Sequence, residues 1–114
     1  MNDNILFELL RADGSIVTNK NLIRAVGLPG AVLYSELLSR YFYFKEKDQL
    51  QDDGSFFNVS EDLLDGTGLT EKQQRPILNK LKKLGLLNVK VKGLPARRYF
   101  YMVENDEIEI GHMI

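Results

Sequence analysis

The side chains of this sequence with the most definite chemistry are cations, and they are crowded into one stretch. From Thr70 to Arg98 there are nine basic residues (Lys72, Arg75, Lys80, Lys82, Lys83, Lys90, Lys92, Arg97 and Arg98) against the single acid Glu71, a local net charge of +8. The other residues carry six basic and fifteen acidic groups, a net of −9, so the formal charge of −1 conceals a strongly divided chain. Cations gathered on one surface attract a polyanion and displace the counterions of a phosphate backbone. Gln73 and Asn79 lie among them, and Arg, Asn and Gln are the side chains whose hydrogen-bonding groups match guanine and adenine edges in a major groove. The chemistry on offer is therefore binding to double-stranded DNA. Lys72, Gln73, Arg75 and Asn79 are expected near base edges, with Lys80 and Lys83 nearer phosphates. Lys90, Lys92, Arg97 and Arg98 would hold the adjoining backbone or minor groove, and Thr70 with the helix N-terminus would donate to a phosphate.

A run of lysines on an isolated helix is commonly just a solvated face, so the elements that carry these cations decide their meaning. Ser60 fits an N-cap, with Glu61 and Asp62 in a first turn where the helix's positive end favours carboxylates. Leu63 and Leu64 supply the buried side of this short helix, and Gly66-Thr67-Gly68 ends it. Thr70-Glu71-Lys72-Gln73 then reads as a capping box that starts a second helix after a tight turn. In that helix Ile77, Leu78, Leu81 and Leu84 form one apolar stripe, opposite Lys72, Arg75, Asn79 and Lys83. Gly85 ends it. Leu87, Val89 and Val91 then alternate with Asn88, Lys90 and Lys92 as a strand, Gly93 to Ala96 is a turn, and Arg97 to Val103 returns as a second strand. Pro76 breaks the pattern, because it cannot donate to the carbonyl of Lys72. Either the helix kinks there or its regular part begins near Arg75.

This order predicts an α+β winged helix-turn-helix, with three to four helices and a small three-stranded antiparallel sheet. The third strand is Ser55 to Val59, since a lone hairpin is marginal in water. Residues Gly68 to Arg75, Leu78, Leu81, Gly85-Leu86-Leu87 and Lys92 to Phe100 resemble the winged-helix domain at the N-terminus of plasmid and phage replication initiators and replisome organisers. Leu33 to Arg40 and the Asp-Gly-Ser-Phe-Phe segment resemble the helix and strand that precede the helix-turn-helix in those proteins. The resemblance spans roughly residues 29–103. It implies an origin-recognition module that reads repeated or inverted half-sites as a homodimer, works with other replication proteins, and commonly continues into further domains. Transcription regulators share the layout and remain an alternative, as does a winged helix that binds protein.

Upstream, Ile5 to Leu10 is apolar and followed by Asp13-Gly14, which favours a hairpin or extended arm over a short helix. Such an arm would either strap the core or join a dimer. Asn19 can cap a helix from Lys20 to Val26, and Pro29 suits the first turn of a long helix to about Lys45, with Leu33, Tyr34, Leu37, Leu38 and Tyr41 as its inward stripe. Tyr41-Phe42-Tyr43-Phe44 cannot all enter one core, since neighbours on a helix point about 100° apart. One or two of these four should remain exposed, and the run is a candidate homodimer interface. Glu104 to Ile114 reads as an acidic tail or linker start after a domain of residues 1–103.

At 114 residues and 44% hydrophobic, the chain supports one core. It has no cysteine and one histidine, His112 in the tail, so no metal site or cofactor is expected, and no Walker-type loop is present. The carboxylate pairs Asp52/Asp53 and Glu61/Asp62 are explained by turn chemistry and capping. The protein is expected not to be an enzyme. With no apolar run of membrane-spanning length and no signal-peptide pattern, a cytoplasmic location is expected.

Overall fold

A computed structural model describes residues 14–104. The expected N-terminal arm over Ile5 to Leu10 and the tail beyond Glu104 lie outside these residues. Among the described residues there are four helices and three strands: α1 (Lys20–Val26), α2 (Leu28–Glu46), β1 (Phe56–Phe57), α3 (Ser60–Thr67), α4 (Glu71–Lys83), β2 (Leu87–Lys92) and β3 (Arg97–Met102). The strands form one antiparallel sheet in the order β1-β3-β2. This is the winged helix-turn-helix that the sequence predicts.

Asn19 caps α1 as expected, its Oδ1 accepting from the backbone N–H of Asn21 at 2.7 Å. Gly27, at φ 83°, then swings the chain directly into α2, whose first turn contains Pro29. The hydroxyl of Thr18 donates to the carbonyl of Ala31 at 3.3 Å and accepts from Ser35 Oγ at 2.8 Å, which fastens the segment before α1 along α2.

The core lies between α2, α3, α4 and the inner face of the sheet. Leu33, Leu37, Leu63, Leu81 and Phe100 are completely buried, with Phe56 and Leu87 almost so. Burial of this kind stabilises by roughly 1.5–3 kcal/mol for each large apolar side chain. The sheet's alternation accounts for which residues enter. Phe56 pairs with Phe100 and Leu87 with Met102 on the inner face, while Phe57 pairs with Tyr99 on the outer one.

Several local expectations change. Ser60 is the first residue of α3 rather than its cap, and the cap residue, Val59, makes no side-chain cap bond. Leu64 is exposed while Leu63 is buried, because eight residues of helix present only a narrow stripe to the core. Val91 points to the helix side of the sheet as expected but is 69% exposed, since the hairpin extends past the end of the core. Pro76 sits inside one continuous helix. Both Pro76 and Lys72 are exposed, so the missing bond falls on the solvent side, where water can serve the free carbonyl.

The turn between α3 and α4 is fixed from both ends. Gly68 is left-handed, at φ 77°, and its N–H donates to the carbonyl of Leu64 at 2.8 Å. Gln74 was absent from the predicted apolar stripe, yet it is fully buried. Its Nε2 donates to the carbonyl of Leu69 at 2.8 Å and to that of Ser60 at 3.1 Å, so one amide holds α4 both to the turn and to the start of α3. On the other side of α3, Gly66 lies against Glu36 of α2, where a Cβ would land on the carboxylate. Arg40 pairs with that carboxylate at 3.7 Å and donates to the carbonyl of Asp62 at 2.9 Å.

Candidate nucleic-acid interface

The capping box that starts α4 is complete. The Gln73 N–H donates to Thr70 Oγ1 at 3.2 Å and the Thr70 N–H donates to Gln73 Oε1 at 2.8 Å. Below it, Leu78 and Leu81 bury one side of the helix with Gln74. With the helix anchored there, Arg75, Asn79 and Lys82 recur at spacings of four and three, a single exposed stripe.

That stripe forms one wall of a groove whose other wall is the hairpin. Glu71, Arg75, Leu78, Asn79 and Lys82 of α4 line it, facing Val89 and Arg98 of the sheet. An adjoining depression is bounded by residues 57–61, by Glu71, and by Ala96, Arg97 and Arg98 of the hairpin. Arg98 and Glu71 thus stand at the junction of the two hollows. Lys72 and Lys83 are exposed on the stripe next to the groove. Gln73 and Lys80, seven residues apart, share the far side of α4. Gln73 stands about 200° around the helix from Arg75, and its side-chain carbonyl is engaged by the cap. The expected grouping of Gln73 with Arg75 and Asn79 at base edges is therefore corrected: the cap takes Gln73 away. Lys82 and Glu71 are the two charged groove residues not expected at the DNA from the sequence. Lys82 was legible from its spacing to Arg75, and Glu71 from the i,i+4 relation that pairs it with Arg75 at 3.7 Å.

The four hairpin cations do not share one face. Register pairs Val91 with Arg98 on the helix side of the sheet, and Lys92 with Arg97 on the opposite side, where Lys90 also lies beside Tyr99. Arg98 is half-buried, with its guanidinium 4.9 Å from the centre of the Phe100 ring. Burial lowers its pKa from the ordinary arginine value, and the carboxylates of Glu71 and Glu61 act in the opposite direction. Arg97 projects outward over the Phe57 ring at 5.2 Å and Lys92 over the Tyr99 ring at 4.5 Å.

The aromatic run at the end of α2 divides as its periodicity requires. Tyr41 is buried and its hydroxyl donates to Glu104 Oε1 at 3.0 Å, with Lys45 pairing the same carboxylate at 3.5 Å. Burial first, and then the Glu104 carboxylate, push the Tyr41 phenol upward. Phe44 packs on Phe56 with ring centres 5.7 Å apart. Phe42 and Tyr43 are more than half exposed. Of the four rings named as a candidate interface, Tyr41 is thus committed to the monomer's own core and Phe44 largely so, leaving Phe42 and Tyr43 available.

Among the described residues no helix is long and apolar enough to cross a membrane, and no cluster of metal-ligating side chains occurs. No protein-family model and no curated protein matches the sequence. Solved structures do resemble it. One, described as the N-terminal domain of a DNA binding protein, shares 18% identity at a TM-score of 0.63, covering 99% of this chain and 90% of that one. Another, described as the structure of a Rep-DNA complex, shares 16% identity at a TM-score of 0.67, covering 96% of this chain and 87% of that one. At such identities the likeness concerns the fold.

Proposed function

We propose that this chain binds double-stranded DNA in a sequence-specific manner, as the origin-recognition module of a replication initiator. The observation that carries the reading is the groove between α4 and the hairpin. A helix held by a complete capping box presents Arg75, Asn79 and Lys82 along one stripe, with Arg98 across from them. The similar fold in a structure described as a Rep-DNA complex supports it.

In this reading α4 enters the major groove, with Arg75 and Asn79 at base edges and Lys72, Lys82 and Lys83 toward phosphates. Glu71 stands beside Arg75 at 3.7 Å and is itself suited to accept from a cytosine amine. Arg97 and the hairpin lysines meet the flanking backbone. Phe42 and Tyr43 provide an apolar patch through which two copies would pair, matching a two-fold arrangement of half-sites.

Titrating a labelled duplex at several salt concentrations tests the core of this proposal. Affinity should fall steeply, each neutralised phosphate adding about 0.9 to the log–log slope, and a slope near zero would overturn it. Footprinting on the DNA flanking the protein's own gene tests the role. Clustered repeats fit an initiator, whereas one palindrome overlapping a promoter would assign a transcription regulator. Light scattering behind size exclusion tests the pairing, which fails if the protein is monomeric at high concentration.

A further inference from the structure

The outer face of the sheet carries a row of rings that the duplex reading does not use. Phe57 on β1 pairs with Tyr99 on β3, and Tyr101 follows two residues along the same strand, so three rings lie on the side turned away from the helices. Phe57 is 39% and Tyr101 38% exposed, so both rings can be reached from solvent. Phe57 and Tyr99 have ring centres 5.9 Å apart, and Tyr101 stands about 7 Å along the strand from Tyr99. Lys90, Lys92 and Arg97 surround them on the same face.

We propose that this face binds single-stranded DNA, with unpaired bases stacking on Phe57, Tyr99 and Tyr101 and phosphates drawn to Lys90, Lys92 and Arg97. Charge complementarity selects the occupant. A partner protein with an apolar surface would leave three cations without counterparts, whereas an unpaired strand offers a flat ring and an anion in each repeat. Each base has a π-face and each linkage a charge, so an array of rings and cations is matched to a strand without regard to sequence. The cations now rest above the rings: Lys92 over Tyr99 and Arg97 over Phe57. Both are long and exposed, and the Lys92 pair with Asp53 at 3.6 Å is a surface contact of the kind that contributes little. They can therefore swing aside to phosphates as bases take their places. A duplex keeps its bases stacked inside and has no use for these rings. Lys90, Lys92 and Arg97 can serve the flanking backbone of a duplex as well, but the inference rests on the rings of Phe57, Tyr99 and Tyr101, which the duplex reading does not use.

The test uses the whole chain and a fluorescein-labelled twelve-residue oligothymidylate at low salt, followed by anisotropy. Saturable binding is expected, accompanied by quenching of tyrosine fluorescence in the unmodified protein. Phe57→Ala and Tyr101→Ala should each weaken it about tenfold while leaving affinity for a duplex site unchanged, and Phe57→Tyr should restore it. Circular dichroism melts confirm that the variants fold, and the tyrosine quenching reports stacking without any substitution. Arg75→Glu should weaken duplex binding about tenfold and spare the oligothymidylate, so failure of either reading is visible without the other. The proposal is overturned if the strand does not bind, if an abasic strand of equal length binds as well, or if the alanine variants bind unchanged. Tighter binding of oligouridylate than of oligothymidylate would overturn the assignment to DNA.

Discussion

The groove beside α4 and the outer face of the sheet are both rich in cations, yet they are built from different companions. In the groove, Arg75, Asn79 and Lys82 stand next to Glu71, and a half-buried Arg98 closes the far wall. On the outer face, Lys90, Lys92 and Arg97 stand among three rings, with the carboxylate of Asp53 only at the edge. A carboxylate beside an arginine adds an acceptor next to a donor, which suits hydrogen bonding to particular base edges. Rings beside lysines suit contacts that tolerate any base. The comparison teaches that a count of positive charge says how strongly a surface attracts nucleic acid, while what lies between the charges says which form it can hold.

Four measurements would sharpen or break this contrast. The largest effect is expected at the support that both surfaces share. Phe100 is fully buried and stacks on Phe56 at 6.0 Å, so Phe100→Ala should reduce unfolding free energy by about 3–5 kcal/mol in urea titrations. Loss of binding at one surface alone in that variant would mean that the sheet does not support them both.

Next in size is the pair Arg75→Glu with Lys82→Glu. Duplex affinity should drop about a hundredfold in a fluorescence titration, with single-strand affinity retained. Equal losses for both ligands would merge the two surfaces into one. Thr70→Ala removes the acceptor that caps α4 and should cost about 1 kcal/mol of stability, read as a lower denaturant midpoint. Since the cap also orients the groove stripe, duplex binding should weaken in this variant while the outer face is unaffected.

The smallest effect belongs to Asp53. Hydrogen bonds from the Ser55 hydroxyl and backbone N–H, more than the nearby Lys92 and Lys90, hold its pKa at about 2, below the ordinary 3.8. A depressed value means that the ionised form stabilises the fold above pH 3.8, and that this contribution disappears as pH falls toward 2. Asp53→Asn should flatten the acid limb of a denaturation profile within that window and leave the neutral region alone. An unchanged acid limb would show that Asp53 gives the outer face no electrostatic support.

Much of the molecule was legible in the residues because its determinants are local. Asn19 before α1, Thr70 with Gln73 at α4, and Gly68 at the end of α3 act within a few positions of themselves, so chain order alone places those boundaries. Alternation in β2 and β3 likewise placed both strands and their turn. Burial of Gln74 is not legible in the sequence, because a polar side chain becomes a core residue only when distant carbonyls, here those of Ser60 and Leu69, come within reach.

The sequence by itself determined the winged helix-turn-helix, the helix that carries Arg75 and Asn79, and the division of charge between the basic stretch and the acidic remainder, since propensity, capping and periodicity are written in neighbouring residues. The tertiary structure alone decided that Arg98 turns toward α4 while Arg97, Lys92 and Lys90 turn away, and that Tyr41 is lost to the core while Phe42 stays outside. Strand register and the packing of α2 on the sheet join residues far apart in the chain, and the face on which a side chain emerges follows from that joining.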